Sequence, residues 1–350
     1  MELRLKNLSK YRSQLIAIGI LWVILFHARL LTLPIGNWIK LIGYGGVDIC
    51  IFLSGLGIYY SVSKLSCTWI EFYKRRVIRI LPTYIIIVFI YSIIMFYLGE
   101  IKNIDIFLNC TTLFYWLSPK MTFNWYIPAI LFIYMITPIY YSIFKKTRCK
   151  RLLTFLVIII SILMCLLLNY IGISRFLMMV SRFPLYFIGF YYGSIICNYE
   201  IKITNKRMVI YFLELLFGLF WIKNLIGKPQ YEWLLGKYCF YWYPFIFIVP
   251  SLSLFISKLF EFVKKNIKKN SWYYKYIIYL NRSLKYIGNN SLEFYLVNVS
   301  ITMIGQKVIS GQWVNNNAIL YNLTIFLITV ILILLKSILT SDRAKTISKR

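Results

Sequence analysis

A single histidine, His27, occurs in the 350 residues, so the sequence excludes histidine-rich metal sites and any histidine pair. Acidic residues are also scarce, because 11 Asp and Glu stand against 40 Lys and Arg, for a formal net charge of +29. The seven cysteines are scattered and form no Cys-x-x-Cys pair, which indicates neither a disulfide framework nor a zinc site. We therefore expect no metal centre.

Long apolar runs are the main feature that the sequence does have. Hydrophobic residues make up 60% of the chain, a composition typical of an integral membrane protein. Such runs must be helical, because backbone polar groups that face lipid need partners within the same segment. Ten runs are long enough to span a bilayer, at roughly residues 13–33, 43–63, 78–98, 124–144, 152–172, 183–199, 208–225, 239–260, 288–306 and 318–340.

The distribution of positive charge predicts the orientation. Three quarters of the 40 Lys and Arg residues lie in the N-terminal tail and in every second connection. Basic loops stay in the cytoplasm, so we predict an all-α integral membrane protein of about ten transmembrane helices with both termini cytoplasmic. Residues 1–350 then form a single membrane-embedded domain without a separate soluble one. The short basic loops offer no extended face for nucleic acid, and none is expected as a partner.

The position of His27 makes it the first candidate for catalysis. Fifteen residues at 1.5 Å each place it about 22 Å beyond Arg12, in the outer half of the bilayer. An ionisable side chain at that depth is costly and is therefore a functional candidate by default. If the protein moves protons near neutral pH, His27 is the expected base.

Two arginines predict an anion site on the cytoplasmic side. Arg76 and Arg79 are three residues apart and share one helix face, and guanidinium forks suit bidentate capture of phosphate oxygens. The alternative is an ordinary topology signal, but Arg79 lies at the head of an apolar run, where such a signal is not needed. We favour a donor that carries an adenine nucleotide or a pyrophosphate.

Asp48 and Arg182 are the other charged candidates on the outer side. Asp48 lies a few residues inside an apolar run, where it either orients or charge-pairs His27 or Arg29, or faces water at a helix start. Arg182 begins a helix near the place where an acceptor would arrive, and its alternative is to snorkel to the headgroups.

Glu293 and two aromatic residues complete the set of polar candidates. Glu293 lies near the start of the ninth run, where helix-start chemistry competes with a functional role. Trp125 and Tyr126 are either interface-belt residues or a platform for a sugar.

Together these residues resemble the motifs of the acyltransferase-3 family. Each motif is weak alone, but their order and spacing from about residue 10 to 340 make the match specific. In chain order they are His27, Gly46-Val-Asp48 with Leu53-Ser-Gly55, Arg76-x-x-Arg79-Ile-Leu-Pro82, Trp125-Tyr126-Ile-Pro128, Arg182-Phe-Pro184 with Gly189, and Gly288-x-x-Ser291-x-Glu293-x-Tyr295-Leu.

The resemblance implies an activity and its substrates. Members of this family are multi-pass proteins of the bacterial inner or plasma membrane that O-acylate, most often O-acetylate, cell-surface sugars. The resemblance implies that no cofactor is bound. It implies that acetyl-CoA or another acyl-CoA is the co-substrate, and the phosphates of acyl-CoA suit Arg76 and Arg79. The acceptor is a glycan or a lipid-linked sugar at the outer face. His27 resembles the catalytic histidine, which acts as a general base or carries the acyl group transiently.

The sequence departs from the family pattern at two places. Many members have an arginine eleven residues before the histidine, where this chain has Ile16, and we expect Arg12, one turn further out, to substitute. The late motif often continues to a second histidine, where this chain has Asn298. His27 is then the sole candidate base.

Two rival functions stay open from the sequence. A transporter or flippase for a lipid-linked or small anionic substrate also fits ten helices with charged residues around a cavity. A glycan polymerase fits less well, since those enzymes rely on large outer loops. The outer connections 99–123 and 226–238 are the expected place for acceptor choice. Neither the acyl group, the sugar nor the oligomeric state follows from the sequence.

Overall fold

The computed structural model describes residues 3–28, 34–64, 68–118, 124–226, 241–266 and 272–347. Almost all of these residues are helical. Within them, ten long apolar helices, numbered in chain order, span Arg12–His27 (α1), Gly45–Lys64 (α2), Trp69–Tyr97 (α3), Tyr126–Lys146 (α4), Lys150–Tyr170 (α5), Phe183–Asn198 (α6), Asn205–Leu225 (α7), Phe245–Asn266 (α8), Ser291–Val308 (α9) and Ala318–Ile347 (α10).

The all-α membrane class predicted from the sequence is confirmed. Each of the ten predicted apolar runs overlaps one of these helices. Within the described residues, seven helices are long and apolar enough to cross a membrane, namely α2, α3, α4, α5, α7, α8 and α10, and α1 is a shorter apolar helix. The total of ten spans and the cytoplasmic termini stay predictions.

Local sequence explains where two of the helices begin. Thr68 precedes α3 in an extended conformation, and its hydroxyl accepts a hydrogen bond from the backbone N–H of Glu71. Thr204 does the same for the backbone N–H of Arg207 at the start of α7. Both are N-caps, which satisfy one of the four backbone donors that a helix leaves unpaired at its start.

Helix α2 lies at the centre of the bundle. Of its most apolar 18-residue stretch, 83% is buried, against 17% for the corresponding stretch of α5 and 11% for that of α7. Glycines bring it close to its neighbours. A Cβ on Gly189 of α6 would lie 1.9 Å from the carbonyl oxygen of Phe52, and one on Gly46 would lie 2.1 Å from that of Gly19. Small residues of this kind allow helix backbones to pack in direct contact within a membrane.

The connections contain shorter elements. Strand β1 (Leu3–Arg4) pairs antiparallel with β2 (Lys202–Ile203) and ties the N-terminal segment to the connection before α7. Short helices occupy Asn7–Lys10, Pro34–Leu41, Asn103–Cys110, Leu113–Leu117, Leu177–Val180 and Gly311–Asn316, with a 3-10 turn at Ser174–Phe176.

The connection before α9, residues 261–287, lies between two of the predicted apolar runs and contains a helix that those runs do not predict. It holds an amphipathic helix, Trp272–Asn289, that packs against α1. A Cβ on Gly288 would lie 1.8 Å from the carbonyl oxygen of Ser13, so this helix is in backbone contact with the start of α1. Its last residue, Asn289, thereby reaches the cavity described next.

Candidate active site

A cavity of about 160 Å³ opens between α1, α2, α3, α4 and α9 at the end of the bundle where α1 begins. The three predicted donor-binding residues, Arg12, Arg76 and Arg79, line it together. Their side chains come from α1 and α3, which the short helix Pro34–Leu41 and α2 separate in the sequence. The rest of the lining comprises Ile16, Ile20, Cys50, Ser54, Ile80, Tyr126, Ile127, Ile130, Tyr134, Asn289, Ser291, Leu292, Glu293 and Tyr295.

Specific contacts hold two of the arginines in place. The Nε of Arg12 donates to the carbonyl oxygen of Leu53 at 2.9 Å. Gly57 leaves the room for this guanidinium, because a Cβ there would lie 2.7 Å from its central carbon. The Nη2 of Arg76 donates to the hydroxyl of Ser61 at 2.8 Å, and the guanidinium lies 4.9 Å from the ring centre of Phe72. Arg12 lines the same cavity as Ile16, which is one turn further along α1. Ile16 is the residue compared above with the arginine of the family pattern.

The charge of this cavity is not balanced within the described part of the chain. Its acidic residue, Glu293, is bound instead by Lys336 of α10, whose Nζ lies 2.5 Å from a carboxylate oxygen. Across the described residues, no carboxylate forms an ion pair with Arg12, Arg76 or Arg79. Three guanidiniums facing one space without a counter-ion favour an anionic ligand.

A second polar cluster is buried deeper in the bundle. Asp48 of α2 and Arg182, just before α6, are 0% and 1% exposed and lie 3.4 Å apart. The guanidinium of Arg182 lies between the rings of Trp125 and Trp242, at 4.7 Å and 5.0 Å from their centres. The predicted snorkelling of Arg182 to the headgroups is therefore wrong, since its charge is enclosed by aromatic rings and a carboxylate.

His27 is the last residue of α1, at the opposite end of that helix from Arg12. Its ring is partly buried and lies edge-on to that of Phe26, with ring centres 5.1 Å apart. Phe26 in turn contacts Tyr44, whose hydroxyl donates to the carbonyl oxygen of Tyr241 at 2.9 Å. Phe26 thus lies between the histidine and the ring of Tyr44.

Asp48 does not pair with His27, as one sequence hypothesis expects. Gly46 packs against Gly19, eight residues before His27, which places the carboxylate about 12 Å deeper along α1 than the imidazole. Its ion pair is with Arg182 instead. The alternative, a helix-start residue that faces water, is wrong as well because Asp48 is fully buried. The other proposed partner, Arg29, lies outside the described residues.

The adjacent residues Trp125 and Tyr126 contact two different polar sites. Trp125 covers Arg182, whereas Tyr126 lines the arginine cavity with its ring 5.6 Å from that of Tyr295. Neither is a belt residue. Two features of the site had no signal in the sequence, namely Trp242 beside Arg182 and the hydrogen bond between the hydroxyls of Ser54 and Tyr134, which are 2.7 Å apart.

Comparison with known proteins gives one match. A model of the acyltransferase domain of the acyltransferase-3 family matches residues 15–338, more than nine-tenths of the chain. The chain belongs to the acyltransferase-3 family. No curated protein and no solved structure matches it. Membership in the family makes the protein a membrane acyltransferase, which leaves the acyl donor and the acceptor to be assigned.

No metal cluster contributes to this site within the described ranges, where no group of three or more His, Cys, Asp and Glu side chains converges. The late-motif residue Asn298 is buried and donates to the hydroxyl of Thr329 at 3.5 Å. It thus holds α9 against α10 instead of facing the arginine cavity.

Proposed function

We propose that this acyltransferase moves an acyl group, most simply acetyl, from cytoplasmic acyl-CoA to a hydroxyl of a cell-surface or lipid-linked glycan at a bacterial cell membrane. The main support is the cavity at one end of α1, in which three arginines form no ion pair with a carboxylate of the described residues, together with His27 at the other end. A donor with phosphates at one end and a reactive thioester at the other fits this separation.

In the proposed reaction, the phosphates of the donor bind Arg12, Arg76 and Arg79. His27 accepts the proton of the acceptor hydroxyl as its oxygen attacks the thioester carbonyl carbon. The new carbon–oxygen ester bond forms, the carbon–sulfur bond breaks, and the departing thiolate takes the proton back from the imidazolium. Because His27 is the only histidine, no second imidazole supports this proton transfer.

The experiment that tests the catalytic assignment uses membranes with the full-length protein, radiolabelled acetyl-CoA and the surface glycans of the host. The variant is His27→Ala. We expect label transfer to fall about a thousandfold, the range that a general base contributes, while acetyl-CoA binding is kept because His27 is remote from the arginines. Equal labelling by the variant would remove His27 from the mechanism.

Two further outcomes of this assay discriminate between mechanisms. Label retained on the wild-type protein after acceptor is withheld would indicate an acyl-histidine intermediate instead of a general base. Absence of transfer by the wild type, combined with movement of a labelled substrate across vesicles, would favour the transporter.

The donor site is tested separately with Arg76→Ala combined with Arg79→Ala. The matched control is Lys74→Ala with Arg75→Ala, which removes the same charge from the same helix without touching the cavity. We expect the donor KM to rise at least tenfold in the first double variant and to stay within twofold in the control, with the acceptor KM unchanged in both. An equal rise of the donor KM in the two double variants would mean that the arginines only set the orientation of the protein in the membrane.

A further inference from the structure

A second cavity, of about 410 Å³, lies between α5, α6 and α7, away from the arginine site. Its mouth is at the level where α5 and α7 begin, since Arg151 is the second residue of α5 and Arg207 the third of α7, and both line it. Helix ends that carry arginine and tyrosine mark the headgroup level of a bilayer. The cavity therefore opens at the membrane surface and extends inward between two peripheral helices.

Three tyrosines line this cavity beside the two arginines. The Nε of Arg151 donates to the hydroxyl of Tyr191 at 3.0 Å. The next residue, Tyr192, has its hydroxyl 3.2 Å from that of Tyr211 on α7, the helix that carries Arg207. These four side chains and Arg207 all line the cavity, so two guanidiniums and three phenols face the same space.

Neither guanidinium is neutralised in the described part of the chain, where no ion pair to a carboxylate involves Arg151 or Arg207. The acid that lines the cavity, Glu214, lies seven residues after Arg207, about 10 Å further into the membrane. Its carboxylate accepts a hydrogen bond from Ser251 of α8 at 3.2 Å. The charge at the mouth is thus positive, while the acid lies further in and is hydrogen-bonded to Ser251.

Isoleucines line the cavity near its mouth, whereas the hydroxyl pair of Tyr192 and Tyr211 and the carboxylate of Glu214 lie further in. Ile195 is three residues from the end of α6, and Ile210 of α7 is 48% exposed on the side of that helix that faces outward. Leu5 lines the cavity from the N-terminal segment, which the pairing of β1 with β2 holds in place. Two guanidiniums beside apolar side chains on a membrane-facing surface are complementary to the phosphate and the adjoining acyl chain of a phospholipid.

We propose that the mouth of this cavity binds one anionic phospholipid, whose phosphate contacts Arg151 and Arg207 and whose acyl chain passes Ile195 and Ile210 toward the outward face of α7. Phosphate is shared by lipid headgroups and soluble phosphate esters, but the isoleucines beside the arginines favour the lipid. The site is separate from the arginine cavity, so the proposal does not depend on the proposed reaction.

The test is native mass spectrometry of the full-length protein from a neutral detergent, with phosphatidylglycerol, phosphatidylcholine or soluble glycerol phosphate added at equal concentration. We expect one tightly held phosphatidylglycerol, bound more strongly than the other two. Each arginine near the surface contributes about a fivefold gain for an anionic lipid. Arg151→Gln with Arg207→Gln should therefore weaken binding about thirtyfold.

The matched control is Lys150→Gln with Lys206→Gln. It removes the same charge from the neighbouring positions of the same two helices, and neither lysine lines the cavity. We expect at most a threefold effect. Equal losses in the two double variants would mean nonspecific attraction to basic helix ends and would overturn the site. Equal binding of phosphatidylcholine, or of glycerol phosphate, by the wild type would overturn the anionic lipid as ligand.

Discussion

The buried pair of Asp48 and Arg182 makes a quantitative prediction about stability. Asp48→Asn removes the carboxylate but leaves Arg182 its two aromatic neighbours and the carbonyl oxygen of Met178, to which Nη1 donates at 2.8 Å. Breaking a buried pair costs about 3–5 kcal/mol, because one charge is left without its partner. We expect the Asn variant at the lower limit, about 3 kcal/mol.

Arg182→Met should cost more, because it also removes two cation–π contacts of about 1 kcal/mol each and leaves the carboxylate of Asp48 buried. We expect about 5 kcal/mol. The double variant, which leaves no charge behind, should cost little more than Arg182→Met alone, so that the coupling is about 3 kcal/mol. The measurement is the free energy of unfolding of the four proteins in mixed detergent micelles titrated with a denaturing detergent.

Two results would refute this reasoning. Additive single costs would mean that the two charges do not interact, whatever their 3.4 Å separation. A loss below 1 kcal/mol for either single variant would mean that water reaches the pair. Glu100→Gln serves as the control, since its ion pair with Lys307 is about half exposed and should change stability by less than 1 kcal/mol.

Two glycines yield further predictions. Gly57→Ala should displace the Arg12 guanidinium, because the new Cβ would lie 2.7 Å from the guanidinium carbon. Donor affinity should then fall about tenfold in a binding assay. The control is Gly311→Ala, which places a Cβ in open space and should leave donor affinity unchanged. Gly189→Leu should push α6 away from the backbone of Phe52 and lower the melting temperature by more than 10 °C without an effect confined to donor binding; a melting temperature within 2 °C of wild type would contradict the close crossing.

The long helices could be predicted from the sequence because each apolar run is long enough to span a bilayer and must satisfy its own backbone. The helix at Trp272–Asn289 could not be found in this way. Lysine and arginine on its polar face break up the apolar sequence, so it lacks a continuous run, although its helical periodicity is that of an amphipathic helix. A search by helical period instead of mean hydropathy would identify it.

The site was predictable only in part, for physical reasons that particular residues illustrate. Arg76 and Arg79 are three residues apart on one helix and therefore lie on the same face. This local spacing was enough to predict that they line one cavity. The pairing of Asp48 with Arg182 joins residues 134 positions apart, and no local rule selects such a partner. Trp125 and Tyr126 are neighbours in sequence, but successive residues of a helix point about 100° apart, which sends them to different places.

The length of the cavity limits how the donor reaches His27. Along α1 the cavity extends from Arg12 to Ile20, and seven residues, about 10 Å, separate Ile20 from His27. A donor held by the arginines therefore has to extend its thioester arm past Ile20 and the ring pair of Tyr126 and Tyr295. Ile20→Trp should block this path and abolish acyl transfer.

The same variant should leave the phosphate end of the donor unaffected, because Ile20 lies two turns from Arg12. Adenosine 3′,5′-bisphosphate carries phosphates without the thioester arm, and we expect its affinity in Ile20→Trp to match that of the wild type within twofold. A parallel loss of this ligand would mean that tryptophan disturbs the whole cavity. Transfer at the wild-type rate with normal binding would mean that the acyl group reaches the acceptor by a route that avoids Ile20, and His27 would then need a different connection to the donor site.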